Sequence, residues 1–161
     1  MKKWSIVSLM TLLLMGAAMS AQATNYVSGQ SSVDSGEIRW GGSTQYTWER
    51  DDAILTWNNE NPINIAPDTI WTVEDLTFSD VNCGCYPWSG AWQPNTGADS
   101  LFLNLAYMPS NYDNRRHVVT HELGHALGLA HSVSGNVMYN SAYQYTLGSQ
   151  DLTDYHYLWG Y

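Results

Sequence analysis

The chain has 161 residues, with 15 Asp and Glu against 6 Lys and Arg, and its formal net charge is −9. This length predicts one domain with a single sizeable core, and two cysteines are too few for a disulfide framework. A hydrophobic content of 44% excludes a disordered acidic tail, and the shortage of basic residues argues against a nucleic-acid partner.

The first 23 residues have the pattern of a secretory signal peptide. A positive start at residues 1–3 precedes an apolar run over residues 4–18, and Ala21 and Ala23 fit the small-residue rule for cleavage. The run is too short for a comfortable membrane span, although an uncleaved anchor is the alternative. We therefore expect export, with cleavage after Ala23 and no stable membrane anchor afterwards.

Cleavage would leave 138 residues and would remove both lysines, so that four arginines face all 15 acids at a net charge of −11. Such a surface could attract hard cations such as calcium, or it could simply keep a secreted protein soluble. Asp80, Asp99 and Asp113 are predicted to lie in loops. They are candidate calcium ligands or, equally, ordinary turn residues.

The first part of the exported chain predicts short strands around one helix. Residues 24–37 are rich in Ser and Gly, which predicts a loose, flexible N-terminal segment. A strand is predicted at residues 38–40, and Ser43 or Thr44 can cap a helix that runs to about Trp57. Further short strands are predicted at residues 63–65, 70–73 and 76–78.

The second part predicts a loop, a strand and two helices. Residues 82–99 hold several Gly and Pro and predict a long irregular loop. Residues 100–105 are the strongest strand candidate, and helices are predicted from about residue 113 to Gly128 and from Ser149 onwards. Strands that gather early and helices that close the chain indicate the α+β class.

The sequence HELGHALGLAH carries the clearest functional signal. On a helix, His121 and His125 lie about 40° apart around the axis, so both imidazoles face the same point, and Glu122 projects beside that point. Gly128 can adopt the left-handed conformation that ends a helix, after which the chain can double back and bring in His131. Three histidine ligands leave zinc an open fourth position for water, which is typical of a catalytic site. Chance alignment of histidines on an amphipathic helix is the alternative.

This stretch resembles the HExxHxxGxxH motif of the metzincin zinc proteases, and Met138 lies seven residues after His131, where that clan has its Met-turn. Within the clan the chain looks most like a matrixin. The supporting residues are Ser132 after the third histidine, Val137-Met138-Tyr139 around the methionine, and the ending Leu158-Trp159-Gly160. Residues 102–125 also resemble the bacterial snapalysins, although those carry Asp as the third ligand. The resemblance covers roughly residues 38–161, which we interpret as the catalytic domain.

The resemblance implies a metzincin-like fold: a twisted, mixed, mostly parallel sheet with the active-site helix beneath it and a C-terminal helix. Met138 would form a hydrophobic floor beneath the metal, unless it is an ordinary core methionine, and Tyr139 would wall the pocket for the residue after the scissile bond. The resemblance also implies an edge strand beside the cleft, to which a substrate peptide would add as a further strand. Its residues would be Leu101, Phe102, Leu103, Asn104 and Leu105.

The implied activity is that of a secreted zinc metalloendopeptidase (EC 3.4.24 type) that acts on proteins or peptides as a monomer. One zinc ion held by His121, His125 and His131 would acidify a water molecule, and Glu122 would take the proton and pass it to the leaving amine. The alternative is a secreted zinc-binding protein whose proteolysis is lost or restricted to a toxin target or a cell-wall protein. Glu122 argues against that alternative, because a purely structural site needs no base.

Some residues depart from the resemblance or lie outside it. No histidine precedes His117, so the histidine-containing structural zinc site of matrixins is not expected, and only 14 residues separate the predicted cleavage from Ile38, too few for an inhibitory pro-segment. His117 and His156 are expected at the surface or in packing contacts. Cys83 and Cys85 have four alternatives: a bridge across one residue, pairing between molecules, free thiols, or metal binding.

Overall fold

The computed structural model describes residues 24–160, so the predicted signal peptide at residues 1–23 and the terminal Tyr161 lie outside the described residues. The described chain has the predicted α+β class, with five strands and three helices. In chain order they are β1 (Glu37–Gly42), α1 (Thr47–Asn58), β2 (Asn64–Pro67), β3 (Leu76–Val81), β4 (Gly90–Gln93), β5 (Asp99–Asn104), α2 (Tyr112–Ala126) and α3 (Ser149–Trp159).

The strands form one mixed sheet with the order β2-β1-β3-β5-β4. β1 pairs in parallel with β2 and β3, and β3 pairs in parallel with β5. β4 runs antiparallel to β5, with Trp92 opposite Leu101, and it forms one edge of the sheet. The sheet is therefore mostly parallel, as the resemblance implies.

The prediction that residues 101–105 form the edge strand is wrong. β5 is interior, because β3 pairs along one side of it and β4 along the other, and Leu105 follows the end of the strand. The edge strand lies instead within residues 82–99, where an irregular loop is predicted. β4 has only four residues, Gly-Ala-Trp-Gln, and two of them are small, so its side chains give no alternating pattern that would predict a strand.

Helix α1 begins later than predicted. The prediction uses Ser43 or Thr44 as the cap, whereas the first helical residue is Thr47. Thr44 donates its Oγ1 proton to Asp80 Oδ1 (2.6 Å), at the end of β3, and accepts from the backbone N–H of Tyr46 (3.1 Å). Because these hydrogen bonds hold Thr44 against the sheet, the helix starts at Thr47, three residues after Thr44.

The strand predicted at residues 70–73 is absent from the described structure. These residues lie in the connection from β2 to β3. The first residue of this connection is Asp68, and its backbone N–H donates to the carbonyl of Trp40 in β1 (2.7 Å). Ile70, Trp71 and Val73 are exposed. Their apolar β-favouring side chains gave the strand signal, but no neighbouring strand lies beside them to pair with.

The helices pack together and against the sheet around one hydrophobic core. Trp57 of α1 is fully buried, and its Nε1–H donates to the carbonyl of Thr120 in α2 (2.9 Å). Its ring stacks on Tyr155 of α3 at 5.7 Å between centroids, and the Tyr155 hydroxyl accepts from the backbone N–H of Ile63 (3.1 Å). One tryptophan thus joins all three helices.

Residues 24–36 lie along the C-terminal end of α2, which differs from the loose segment predicted from composition. The backbone N–H groups of Ser28 and Ser32 donate to the carbonyls of Gly128 (2.8 Å) and Ala126 (2.7 Å). The last carbonyls of a helix have no partner within the helix, so they accept from a neighbouring chain segment. The N-terminal segment is therefore part of the folded domain.

Within residues 24–160, none of the helices is both long enough and apolar enough to cross a lipid bilayer.

We expect Trp57→Ala to lower the free energy of unfolding by about 3–5 kcal/mol, because it opens a cavity between the helices and removes the hydrogen bond to the Thr120 carbonyl. Trp48, in the same helix, is 78% exposed, and Trp48→Ala is the matched control, expected to change stability by less than about 0.5 kcal/mol. Urea denaturation of both variants measures the difference, and equal losses would contradict the central role of Trp57.

Candidate metal centre

Three histidines converge at the end of α2. His121 and His125 lie one turn apart on the helix, and the chain reverses after Gly128, whose φ of 92° is the left-handed conformation predicted for it. This reversal brings back His131, so that the three ring centroids lie 4.8–5.1 Å apart. One nitrogen from each ring lies within 4.8 Å of the others. The structure thus brings together the three predicted ligands.

The rings of the two helical histidines are oriented by backbone carbonyls. Nδ1 of His121 lies 2.8 Å from the carbonyl oxygen of Val137, and Nδ1 of His125 lies 2.8 Å from that of Leu129. A proton on each Nδ1 donates to the carbonyl and leaves Nε2 as the free ligand atom, the usual arrangement of metal-binding histidines.

The donor set fits zinc. Nε2 of His125 and Nε2 of His131 are 3.2 Å apart. Two Zn–N bonds of about 2.0–2.1 Å at a tetrahedral angle place their nitrogens roughly 3.3 Å apart, so the observed spacing suits a shared zinc ion. Burial, with a smaller effect from the adjacent His125, lowers the pKa of His121 to about 3, which keeps the ring in the neutral, metal-binding form.

Glu122 is buried beside the three histidines. Its Oε2 accepts from the backbone N–H of Trp92 in the edge strand β4 (3.0 Å). Burial raises the pKa of Glu122 to about 8, although this hydrogen bond acts in the opposite direction. A carboxyl group held in this way has the position and the basicity expected of a general base.

Gly90 lets β4 come close to α2. A Cβ at this position would lie 2.7 Å from Cγ of Glu122 and 2.8 Å from Cγ1 of Val118, closer than such atoms approach. The sequence does not predict this role for Gly90, because an isolated glycine in a predicted loop does not indicate close packing.

Met138 is fully buried and packs against α2 at Gly124, between the two helical ligands. The neighbouring Val137 supplies the carbonyl that orients His121. The residue predicted as a Met-turn therefore lies beside the metal-binding helix, and its segment contacts a ligand directly.

Asp151 holds this segment in place, a role that the sequence does not predict. Its carboxylate is fully buried and accepts three backbone N–H groups, from Val137 (2.6 Å), Met138 (3.1 Å) and Gly148 (2.8 Å). Asp151 is the third residue of α3, where a carboxylate that bonds back to the helix start is a known capping signal. That signal predicts the contact with Gly148 but not the contacts with residues 137 and 138.

A cleft with a cavity of about 500 Å³ opens beside the histidines. Besides His121, Glu122 and His131, its lining comprises residues 87–90, His117, Val118 and residues 140–143. The predicted wall residue Tyr139 is not among them, and residues 140–143 take its place. None of Leu101, Phe102, Leu103, Asn104 and Leu105 lines the cavity.

Asn104 has a structural role in place of the predicted substrate contact. It is fully buried, and its Nδ2 donates to the carbonyls of Cys83 (2.9 Å) and Tyr86 (3.1 Å), while its Oδ1 accepts from the Cys83 backbone N–H (3.1 Å). The loop that leads into the cavity wall at residues 87–90 is thereby fixed to β5. In that loop, Cys83 and Cys85 form a disulfide with each other.

The candidate calcium ligands are not brought together. Asp80 accepts from Thr44, Asp99 accepts from Ser32 Oγ (2.7 Å), and Asp113 is exposed. In the part of the chain that the structure describes, the three histidines are the only group of three or more His, Cys, Asp or Glu side chains placed to hold a metal ion. Calcium is therefore not supported.

The family model of the matrixins, Peptidase_M10, matches residues 18–160. No curated protein matches the sequence, and the similarity to snapalysins is not supported.

Among solved structures, a chain described as the GM1-bound form of the ECX AB5 holotoxin is similar over 71% of this chain, with 16% sequence identity and a TM-score of 0.46. The match spans 58% of the length of that chain. A likeness this distant carries no conclusion about function.

We expect Asp151→Asn to lower the free energy of unfolding by about 2–4 kcal/mol, because an amide nitrogen would face backbone N–H groups that now donate to a carboxylate. The exposed Asp113→Asn is the control, expected to change stability by less than about 0.5 kcal/mol. Thermal unfolding of the metal-free proteins measures both. Similar melting temperatures for the two variants would contradict the role assigned to Asp151.

The raised pKa of Glu122 predicts a pH-dependent stability difference in the metal-free protein. Between about pH 4.5 and pH 8 the unfolded state loses the Glu122 proton while the folded state keeps it, so this group destabilises the fold as pH rises. Glu122→Gln mimics the protonated form, and its stability relative to wild type should rise by on the order of 1–3 kcal/mol from pH 4.5 to pH 8. Urea denaturation at both pH values measures the difference, and a constant difference would refute the buried, proton-retaining state.

Proposed function

The chain belongs to the matrixin family of metalloproteases, which act on proteins or peptides, and we propose that it is a zinc-dependent endopeptidase. The observation that carries this proposal is the position of the Glu122 carboxylate, which lies beside three converging histidines and on the wall of an open cleft. A purely structural metal site has no use for a buried base at the edge of a cleft.

His121, His125 and His131 would hold the zinc ion. When bound, zinc acts as a Lewis acid that lowers the pKa of a water molecule and polarises the scissile carbonyl. The family and the donor set both support zinc at these residues.

Glu122 performs the proton transfers. Its carboxylate takes a proton from the attacking water and then gives that proton to the nitrogen of the leaving amine. The backbone N–H of Trp92 occupies Oε2, which leaves Oε1 as the oxygen available for this exchange. The buried environment that raises the pKa of Glu122 also makes it a stronger base than a solvent-exposed carboxylate.

The substrate lies along the start of the edge strand. Residues 87–90 line the cavity, and β4 pairs with β5 along only one of its sides. An extended peptide would add to the strand at residues 88–90 through backbone hydrogen bonds. This position replaces the one predicted for residues 101–105.

Export belongs to the proposal as well. It rests on the positive start, the apolar run and the small residues up to Ala23.

We expect zinc-loaded Glu122→Ala to retain the metal but to lose hydrolysis of unfolded casein by at least about 1,000-fold, because it removes the carboxylate that takes the proton. Glu60→Ala, in the turn that follows α1 and outside the cleft, is the matched control with unchanged turnover. Metal analysis and casein digestion, with and without a zinc chelator, measure the outcome.

Three results would overturn parts of the proposal. Full activity of Glu122→Ala would exclude Glu122 from the mechanism. Wild-type cleavage that persists in the presence of a chelator would exclude the metal from it. Absence of cleavage of casein and of a peptide library by the zinc-loaded wild type would favour a zinc-binding protein without general proteolysis.

A further inference from the structure

The connection from β2 to β3 carries an exposed apolar tip, which we define as Ile70, Trp71 and Val73. These side chains are 88%, 88% and 82% exposed, the highest values among the large hydrophobic residues of the described chain, residues 24–160. None of them lines the cleft beside the metal centre. Several large apolar side chains that lie together at a surface mark a site that contacts an apolar partner.

The base of the apolar tip is fixed to the sheet at both ends. At one end the backbone N–H of Asp68 donates to the carbonyl of Trp40 in β1 (2.7 Å). At the other end the backbone N–H of Asp75 donates to the carbonyl of Arg39 (2.7 Å). Between them the Thr72 hydroxyl donates to Asp68 Oδ1 (2.5 Å). These bonds hold the tip in place, which reduces the entropy that docking would cost.

The acidic residues beside the apolar tip bond to the fold. Asp75 Oδ2 accepts from the backbone N–H of Arg39 (2.7 Å), and Oε1 of Glu74 accepts from the Thr77 hydroxyl. With Asp68, these residues place three carboxyl groups at the base of the tip. The tip is therefore apolar at its end and acidic at its base, and the acids would repel an anionic surface.

The apolar tip is too small for a stable interface between two protein chains. A buried aromatic side chain contributes about 150–250 Å², so three side chains supply roughly 400–500 Å², against about 800 Å² per partner in a standard interface. Insertion into a lipid surface requires no complementary protein surface, because lipids rearrange around the inserted side chains. Tryptophan also favours the boundary between lipid and water.

We propose that the apolar tip docks this protein reversibly on a zwitterionic lipid surface, such as phosphatidylcholine. Ile70 and Trp71 insert among the headgroups, while the acids at the base of the tip disfavour anionic lipid. This contact is peripheral, so it needs no membrane-spanning helix. It is independent of the proposed endopeptidase activity.

The test is co-sedimentation with phosphatidylcholine vesicles. The protein used is the proposed exported form that begins at Thr24, so that the apolar run at residues 4–18 does not itself bind lipid. We expect wild type to bind, and the double variant Ile70→Ser with Trp71→Ser to bind at least about tenfold more weakly. Replacing part of the phosphatidylcholine with phosphatidylserine should weaken wild-type binding.

Trp48→Ser is the matched control, because it removes a tryptophan that is 78% exposed on α1, and it should bind as wild type does. The double variant should also unfold at the wild-type temperature, since both of its substitutions lie at the surface.

Four results would overturn the proposal: no binding by wild type, undiminished binding by the double variant, an equal loss in Trp48→Ser, or stronger binding to phosphatidylserine. Sedimentation velocity without lipid supplies a further check. A wild-type dimer that the double variant abolishes would assign the apolar tip to a second copy of this chain and would also overturn the proposal.

Discussion

The buried carboxylate of Asp151 is the interaction on which the site depends. Its two oxygens accept the backbone N–H groups of Val137 and Met138. Both of these residues contact α2: the Val137 carbonyl orients His121, and Met138 packs at Gly124. A carboxylate has enough lone pairs to bind several N–H groups, which no neutral side chain of its size can match. The position of the helix with the metal ligands is thus set by a residue from the last helix of the chain.

The sequence predicts those parts of the site whose geometry is local. The spacing of His121 and His125 on one helix, and the reversal at Gly128, follow from helical periodicity and backbone sterics, and they are observed. The edge strand could not be predicted, since β4 exists through pairing with β5, whereas its own side chains have no strand pattern. The contacts of Asp151 were equally inaccessible, because they join segments that are distant in sequence.

The large number of acidic residues suggests calcium binding, but the structure gives several of them a different role. Many of them accept hydrogen bonds from backbone N–H groups or hydroxyls inside the fold, in a chain with few cations to pair them. Such carboxylates are Asp75 with Arg39 N–H, Asp80 with Gln45 N–H, Asp99 with Asn95 N–H, Asp151 with Val137 N–H and Asp154 with Tyr26 N–H. These contacts give five of the 15 acids a structural role that needs no calcium.

The loop of His131 has a consequence for the thermodynamics of metal binding. Although His131 itself is exposed, its loop is fastened on both sides: Leu129 forms a β-bridge with Val27 of the N-terminal segment, and Ser132 donates its N–H to the Met138 carbonyl (2.9 Å). A ligand on a free loop would lose conformational entropy when it bound the ion. Here contacts within the fold hold the loop on both sides, which reduces that cost, so the affinity of the third ligand depends on the whole fold.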